Sequence, residues 1–144
     1  MKEEIIQKMN EIKNRIDELK DISKYIQKIN EIQKEIQEVI NELTKIALPS
    51  GYWVEYKTVK NYPQKREYQY YYLRWYDENG RIRNKYLGKE LPKWVEDGLW
   101  ARDVLRSFEA YITELERIKE GINSMLYRFK SISKDIEDYI ERKQ

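Results

Sequence analysis

The sequence predicts an α+β protein, mainly α, in which two long coiled-coil helices flank a three-stranded antiparallel β-sheet. Three observations carry this expectation. Apolar residues recur at heptad spacing in residues 1–47 and again in residues 93–144. Between them, in residues 48–92, the pattern changes to strand-like alternation rich in Tyr. Pro49, Gly51, Gly80, Gly88 and Pro92 punctuate that middle segment. The expected parts are therefore an N-terminal helix over 1–47, a sheet module over 48–92, and a C-terminal helix over 93–144 that packs on the first.

The first arm reads as a helix from about residue 3 to residue 47. Its apolar seam runs Ile5, Met9, Ile12, Ile16, Leu19 and resumes as Ile22, Ile26, Ile29, Gln33, Ile36, Ile40, Leu43, Ala47. The step from Leu19 to Ile22 breaks the alternation of fours and threes, as a stammer does, and predicts local overwinding. Gln33 occupies a seam position, where a polar residue either fixes register or drifts to the surface. Leu48-Pro49-Ser50-Gly51 ends the helix, because proline cannot continue it.

The sheet module opens with a strand near Tyr52–Lys60 and a turn at Asn61–Lys65. Strands over 67–77 and 81–88 follow, joined by Asp77-Glu78-Asn79-Gly80. Side chains on a strand alternate between faces, so the closing turn decides which residues share one. Closure by Asn79-Gly80 pairs Tyr76 with Arg83, and closure by all four loop residues pairs Tyr76 with Arg81. Both sort the hairpin in the same way. One face would carry Tyr70, Tyr72, Arg74, Tyr76, Arg81, Arg83 and Lys85. The other would carry Tyr71, Leu73, Trp75, Ile82 and Tyr86, and would be covered by Trp94, Val95, Leu99 and Trp100.

The second arm has a seam of Val104, Phe108, Tyr111, Leu115, Ile118, Ile122, Met125, Phe129, Ile132, Ile136 and Tyr139. Leu105, Ile112, Leu126 and Ile140 add a flanking row, so the stripe is wider than a two-stranded pair requires. A helix from about 93 to 142 would be roughly 75 Å long. The economical arrangement is an antiparallel helical hairpin with the sheet at its tip, dimerised into four helices, with a parallel dimer of extended chains as the competing topology.

Composition narrows the chemistry. The 144 residues contain no Cys and no His, which excludes disulfides, thiol nucleophiles, Ser-His-Asp triads and Cys/His zinc sites. No cofactor, no metal, no small-molecule substrate and no enzymatic activity is expected. No apolar run approaches the ~20 residues of a membrane span, and the first residues lack a signal-peptide core. A cytoplasmic protein without membrane contact is the expectation. Abundant Ile, Lys, Glu and Tyr, with few Met, is the bias of hyperthermophile proteins and suggests an archaeal or viral source.

The net charge of +2 hides a division. Residues 48–93 carry 10 basic and 5 acidic residues and 9 of the 13 tyrosines, so the positive field belongs to the sheet module. A basic, tyrosine-rich face suits nucleic acid, with duplex DNA favoured: Arg and Lys neutralise phosphates, Tyr stacks or donates hydrogen bonds, and arginines on a sheet can read guanine in the major groove. The candidate contacts are Tyr70, Tyr72, Arg74, Tyr76, Arg81, Arg83 and Lys85, with Lys57, Lys60, Lys65 and Arg66 reaching the backbone. The alternative is a protein-interaction adaptor or inhibitor, viral or plasmid-encoded, that uses the same face. A homodimer through the helical arms would pair two such modules.

Tyr71-Tyr72-Leu73-Arg74-Trp75-Tyr76, then Asn79-Gly80-Arg81-Ile82-Arg83, then a helix from about Pro92, resemble the arm-type DNA-binding domains of tyrosine recombinases. The resemblance covers about residues 48–105. It implies a three-stranded sheet inserted into the DNA major groove, with Arg74, Arg81, Arg83 and Lys85 as contacts. Long helices bracket the sheet where a recombinase carries its catalytic domain, so it implies DNA binding and not recombination. The hairpin ending in Lys85-Tyr86-Leu87-Gly88-Lys89 also resembles segments of small uncharacterised proteins of archaeal mobile elements.

Overall fold

The computed structural model describes residues 1–61 and 66–143. Its elements run α1 (Lys2–Leu19), a 3-10 turn (Lys20–Ser23), α2 (Lys24–Ile46), β1 (Trp53–Asn61), β2 (Arg66–Tyr76), β3 (Ile82–Gly88) and α3 (Lys93–Lys143). The chain is mainly helical, with one three-stranded antiparallel sheet in the order β1-β2-β3. Two units are distinguished, Met1–Gln37 with Ala110–Gln144, and Glu38–Glu109. Among the described residues no helix is long and apolar enough to cross a membrane.

In the first unit α1 and the start of α2 pack against the C-terminal part of α3. The contacts run in opposite directions along the two arms. Ser133 Oγ donates to Asp17 Oδ1 at 2.7 Å, Lys119 Nζ to Asn30 Oδ1 at 2.9 Å, and Gln33 Nε2 to Glu116 Oε2 at 3.1 Å. The arms are therefore antiparallel here. Gln33 lies between the arms, because it also donates to the Ile112 carbonyl. A polar residue with partners on the facing helix penalises any slip in register. The 3-10 turn falls where the heptad spacing shortens after Leu19, and its three residues per turn are the overwinding that a stammer demands. Asp17, bonded by Lys20, Ser133 and Lys13, titrates well below its usual range, at about 2.

The seam inside the chain is not the row of largest apolar residues. Ile122, Ser133 and Ile140 are buried, while Ile118, Met125, Ile132 and Tyr139 are exposed. With Tyr111, five of the eleven expected α3 seam residues therefore face outward, and Ile140 of the flanking row is buried.

In the second unit the core is Leu48, Leu73 and Val95, packed around by Tyr52, Val54, Trp75, Leu87, Leu91 and Leu99. Fully burying an aliphatic side chain of this size stabilises by roughly 1.5–3 kcal/mol, and Val95 is 0 % exposed. Pro49 ends α2 as expected, and Tyr52 N–H closes a turn on the Pro49 carbonyl. Pro92 directly precedes α3, where its carbonyl receives the N–H groups of Val95 and Glu96. Arg102 clamps the same corner by donating to the Tyr52 carbonyl at 2.6 Å. Two of the expected covering residues do not cover: Trp94 and Trp100 are 50 % and 58 % exposed, and Val95 and Leu99 do the packing.

The hairpin register corrects the expected sorting of faces. Tyr76 pairs with Ile82, Arg74 with Asn84 and Tyr72 with Tyr86. The loop thus has an odd length, between the two even lengths considered from sequence. A three-residue turn, Glu78-Asn79-Gly80, is closed by Asp77 N–H donating to the Arg81 carbonyl. Gly80 takes φ +75°, the left-handed residue that such a turn requires. The Asp77 carboxylate accepts from the N–H groups of Asn79 and Arg81 and holds the turn. A one-residue slip moves every β3 side chain to the other face. Arg83 and Lys85 therefore lie opposite Trp75 and Leu73 on the packed side, while Ile82 and Tyr86 join Tyr72 and Tyr76 on the open side. Further along, Tyr71 pairs with Gly88, so Leu87 is the extra residue of a bulge and packs on the core.

Gly98 is fixed by close approach. A Cβ there would meet Leu48 Cγ at 2.8 Å and the Ile46 carbonyl at 3.2 Å, and its own carbonyl accepts from Leu48 N–H. Gly98→Ala gains helix propensity of about 1 kcal/mol but overpacks a buried contact at a cost of about 1–3 kcal/mol, and we expect a net loss of up to about 2 kcal/mol. Urea unfolding checks this; an unchanged or raised midpoint would contradict the packing described.

Candidate nucleic-acid interface

Strand alternation and the observed register build the open face of the sheet. β2 contributes Tyr68, Tyr70, Tyr72, Arg74 and Tyr76, β1 contributes Trp53, Glu55 and Lys57, and β3 contributes Ile82, Asn84 and Tyr86. Leu73, Val54 and Trp75, which pack with the core, all belong to the opposite face.

Four tyrosines form a continuous ladder across β2 and β3. Tyr68 and Tyr70 stack with ring centroids 6.2 Å apart. Tyr70 meets Tyr86 at 5.5 Å, and Tyr86 meets Tyr72 edge-on at 5.6 Å. A lysine closes each end, with Lys89 Nζ 5.6 Å from the Tyr68 ring and Lys57 Nζ 5.3 Å from the Tyr72 ring. Offset and edge-to-face contacts of this kind stabilise a sheet surface by about 0.5–1.5 kcal/mol each beyond burial. They also hold the rings in fixed orientation.

The arginines are differently placed from the expectation. Arg74 is on the open face, but its Nη1 lies 2.8 Å from both Glu55 carboxylate oxygens. Trp53 Nε1 donates to the same carboxylate at 3.1 Å. The Trp53 and Arg74 bonds together hold the Glu55 carboxyl below its ordinary value of 4.5. Arg83 is bound through Nε to Asp77 Oδ2 at 2.8 Å. The Asp77 carboxyl is lowered in turn, by the Arg81 N–H first and by Arg83 next. Lys85 sits on the helix side, its Nζ 5.2 Å from the Trp94 ring. Arg81 is exposed in the turn.

The remaining expected residues scatter. Tyr76 is exposed beside Trp53, at 5.3 Å between rings. Lys60 pairs across the strands with Glu67 and lies 3.9 Å from its carboxylate, and Arg66 is exposed at the start of β2. Lys65 lies outside the described residues. Tyr68 and Lys89 were missed. Tyr68 has the parity of Tyr70 and could have been read from alternation. Tyr86 went to the wrong face with the rest of β3.

The fold and this face define a small α+β protein that displays a tyrosine ladder on the uncovered side of a sheet. The chain belongs to the family described as Domain of unknown function (DUF6788), whose match covers residues 3–97. That range takes in α1, α2, the whole sheet and the first residues of α3. No curated protein and no solved structure matches the chain.

The Glu55–Arg74 pair yields a pH test. A carboxylate whose folded pKa is depressed stabilises the fold above its unfolded pKa, and that stabilisation disappears as pH falls through the folded value. Glu55→Gln should therefore lower Tm at pH 7, and the gap to the wild type should close as pH drops below about 4.5. A gap that persists unchanged at acid pH would show that the Glu55 charge does not hold this corner of the sheet.

Proposed function

We propose that this chain is a non-enzymatic DNA-binding protein that uses the open face of its sheet, carried on a coiled-coil scaffold that pairs two such modules. The observation that supports it best is the tyrosine ladder closed at both ends by Lys57 and Lys89. Rings fixed in a row offer stacking platforms worth about 1–3 kcal/mol per base, and lysines at the ends neutralise backbone phosphates. Arg81 and Arg66 add exposed positive charge around the face. Three antiparallel strands followed by a helix are also the order of elements that the resemblance to arm-type domains of tyrosine recombinases implies. Pairing of two modules would raise affinity through effective concentration.

The engaged arginines favour exposed bases over base-edge reading. Arg74 is tied to Glu55 and Arg83 to Asp77, so neither guanidinium is presented for a bidentate contact with guanine without first breaking an ion pair. Stacking rings and lysines recognise a single strand without such a contact. Duplex DNA is the competing arm of the test. A protein partner is the second reading, favoured by Tyr76 and Ile82, an exposed cross-strand pair at the edge of the ladder.

Fluorescence anisotropy of labelled single-stranded and duplex DNA against the full chain, over a salt series, tests the proposal. The expected result is tighter single-strand binding with a steep negative salt dependence. Lys57→Ala with Lys89→Ala should flatten the slope by roughly 1.4, at about 0.7 for each phosphate left without its lysine. An unchanged slope in the folded double variant would remove the ladder from the site. No binding of either DNA at low salt would refute the function and turn attention to a protein partner.

A further inference from the structure

Inside the first unit the two sides of the helical seam are chemically unlike. The residues that follow the seam positions Ile16, Ile29 and Leu115 are Asp17, Asn30 and Glu116, and these make the polar contacts between the arms. The residues that precede the alternate seam positions form the other side. On α1–α2 they are Ile5, Ile12, Leu19, Tyr25 and Ile32, and on α3 they are Ile118, Met125, Ile132 and Tyr139. All nine are large and apolar, and each is between 43 and 56 % exposed.

Both rows lie on one side of the antiparallel pair. Ile5 and Tyr139, one from each row, line a single cavity of about 800 Å³ together with Ile6 and Met9. The packing within the chain makes the mismatch plainer. Gln33, Lys119 and Ser133 lie between the arms, yet the isoleucine just before each of them points outward. The broad apolar stripe is thus divided, one row used between the arms and one row left for another contact. A stripe this wide is the pattern of a helix packed against two neighbours.

We infer that this strip is the face on which a second copy of the chain packs, forming an antiparallel four-helix arrangement with the apolar rows at its centre. The occupant must be helical with the same seven-residue period, since only that period keeps side chains in step over ~40 Å of helix. This chain carries two such helices, and a two-fold axis sets like residues against like. The area also fits. Aliphatic side chains present somewhat less area than the ~150–250 Å² of an aromatic one, so nine about half exposed offer roughly 600–900 Å², close to the share one partner gives to a standard interface of ~1,600 Å². That exceeds the ~300–600 Å² of the largest apolar patch on a typical monomer. The assignment deepens the paired-module reading and is independent of what the sheet binds.

Sedimentation equilibrium of the full chain, wild type beside Ile32→Glu with Ile118→Glu, tests it. A dimeric wild type and a helical, monomeric variant, with association weakened about a hundredfold or more by buried charge, are expected. Asn123→Glu, on the polar side, should stay dimeric. A variant as dimeric as the wild type would overturn this face while leaving the dimer. A monomeric wild type at tens of micromolar would overturn both. If the charged pair does not fold, Ile32→Ala with Ile118→Ala is measured instead, and an unchanged dissociation constant overturns the face.

Discussion

The turn from Asp77 to Arg81 is the constraint on which the character of the sheet depends. Its odd length is set by Asp77, whose carboxylate receives two backbone N–H groups, and by Gly80 in the left-handed region. Because side chains on a strand have a period of two, a change of one residue here exchanges the contents of both faces of β3. With this turn Tyr86 completes the ladder with Tyr70 and Tyr72. With either even-length turn Arg83 and Lys85 would stand there, and the β2 tyrosines would face basic side chains instead of Tyr86. Asp77 also binds Arg83, so the same residue that sets the register keeps that guanidinium engaged.

Much of the fold was legible in the sequence for identifiable reasons. The helices announce themselves through heptad spacing, and Pro49 and Pro92 bound the segment between them. The overwinding at the 3-10 turn could be read from the shortened step between Leu19 and Ile22, though not the 3-10 geometry itself. Which stripe packs inside the chain was not legible. Apolar content picks out the widest row, but Lys119 and Ser133 find partners on Asn30 and Asp17 and so tolerate positions between the arms. The isoleucines beside them are released to the outside.

The site was legible in part. Tyr70, Tyr72 and Arg74 share a face by simple alternation, and Lys57 joins them through its pairing with Tyr70. The pairing of Arg74 with Glu55 depends on the β1–β2 register, which no short motif in the sequence marks. The composition of the module invites an arginine-led reading. Its geometry replaces that with tyrosines held in contact and lysines at their ends, because Glu55 on β1 takes up the Arg74 guanidinium and the register turns Arg83 to the packed side, where Asp77 binds it.

The register of the hairpin is tested most directly by proton NMR, through short-range contacts between side chains on β2 and β3. Contacts of the Tyr86 ring with both Tyr70 and Tyr72, and backbone contacts between Tyr76 and Ile82, are expected. Contacts of Tyr86 with Leu73 or Trp75, and of Arg83 or Lys85 with Tyr72, would contradict the turn, the ladder and the surface built on them.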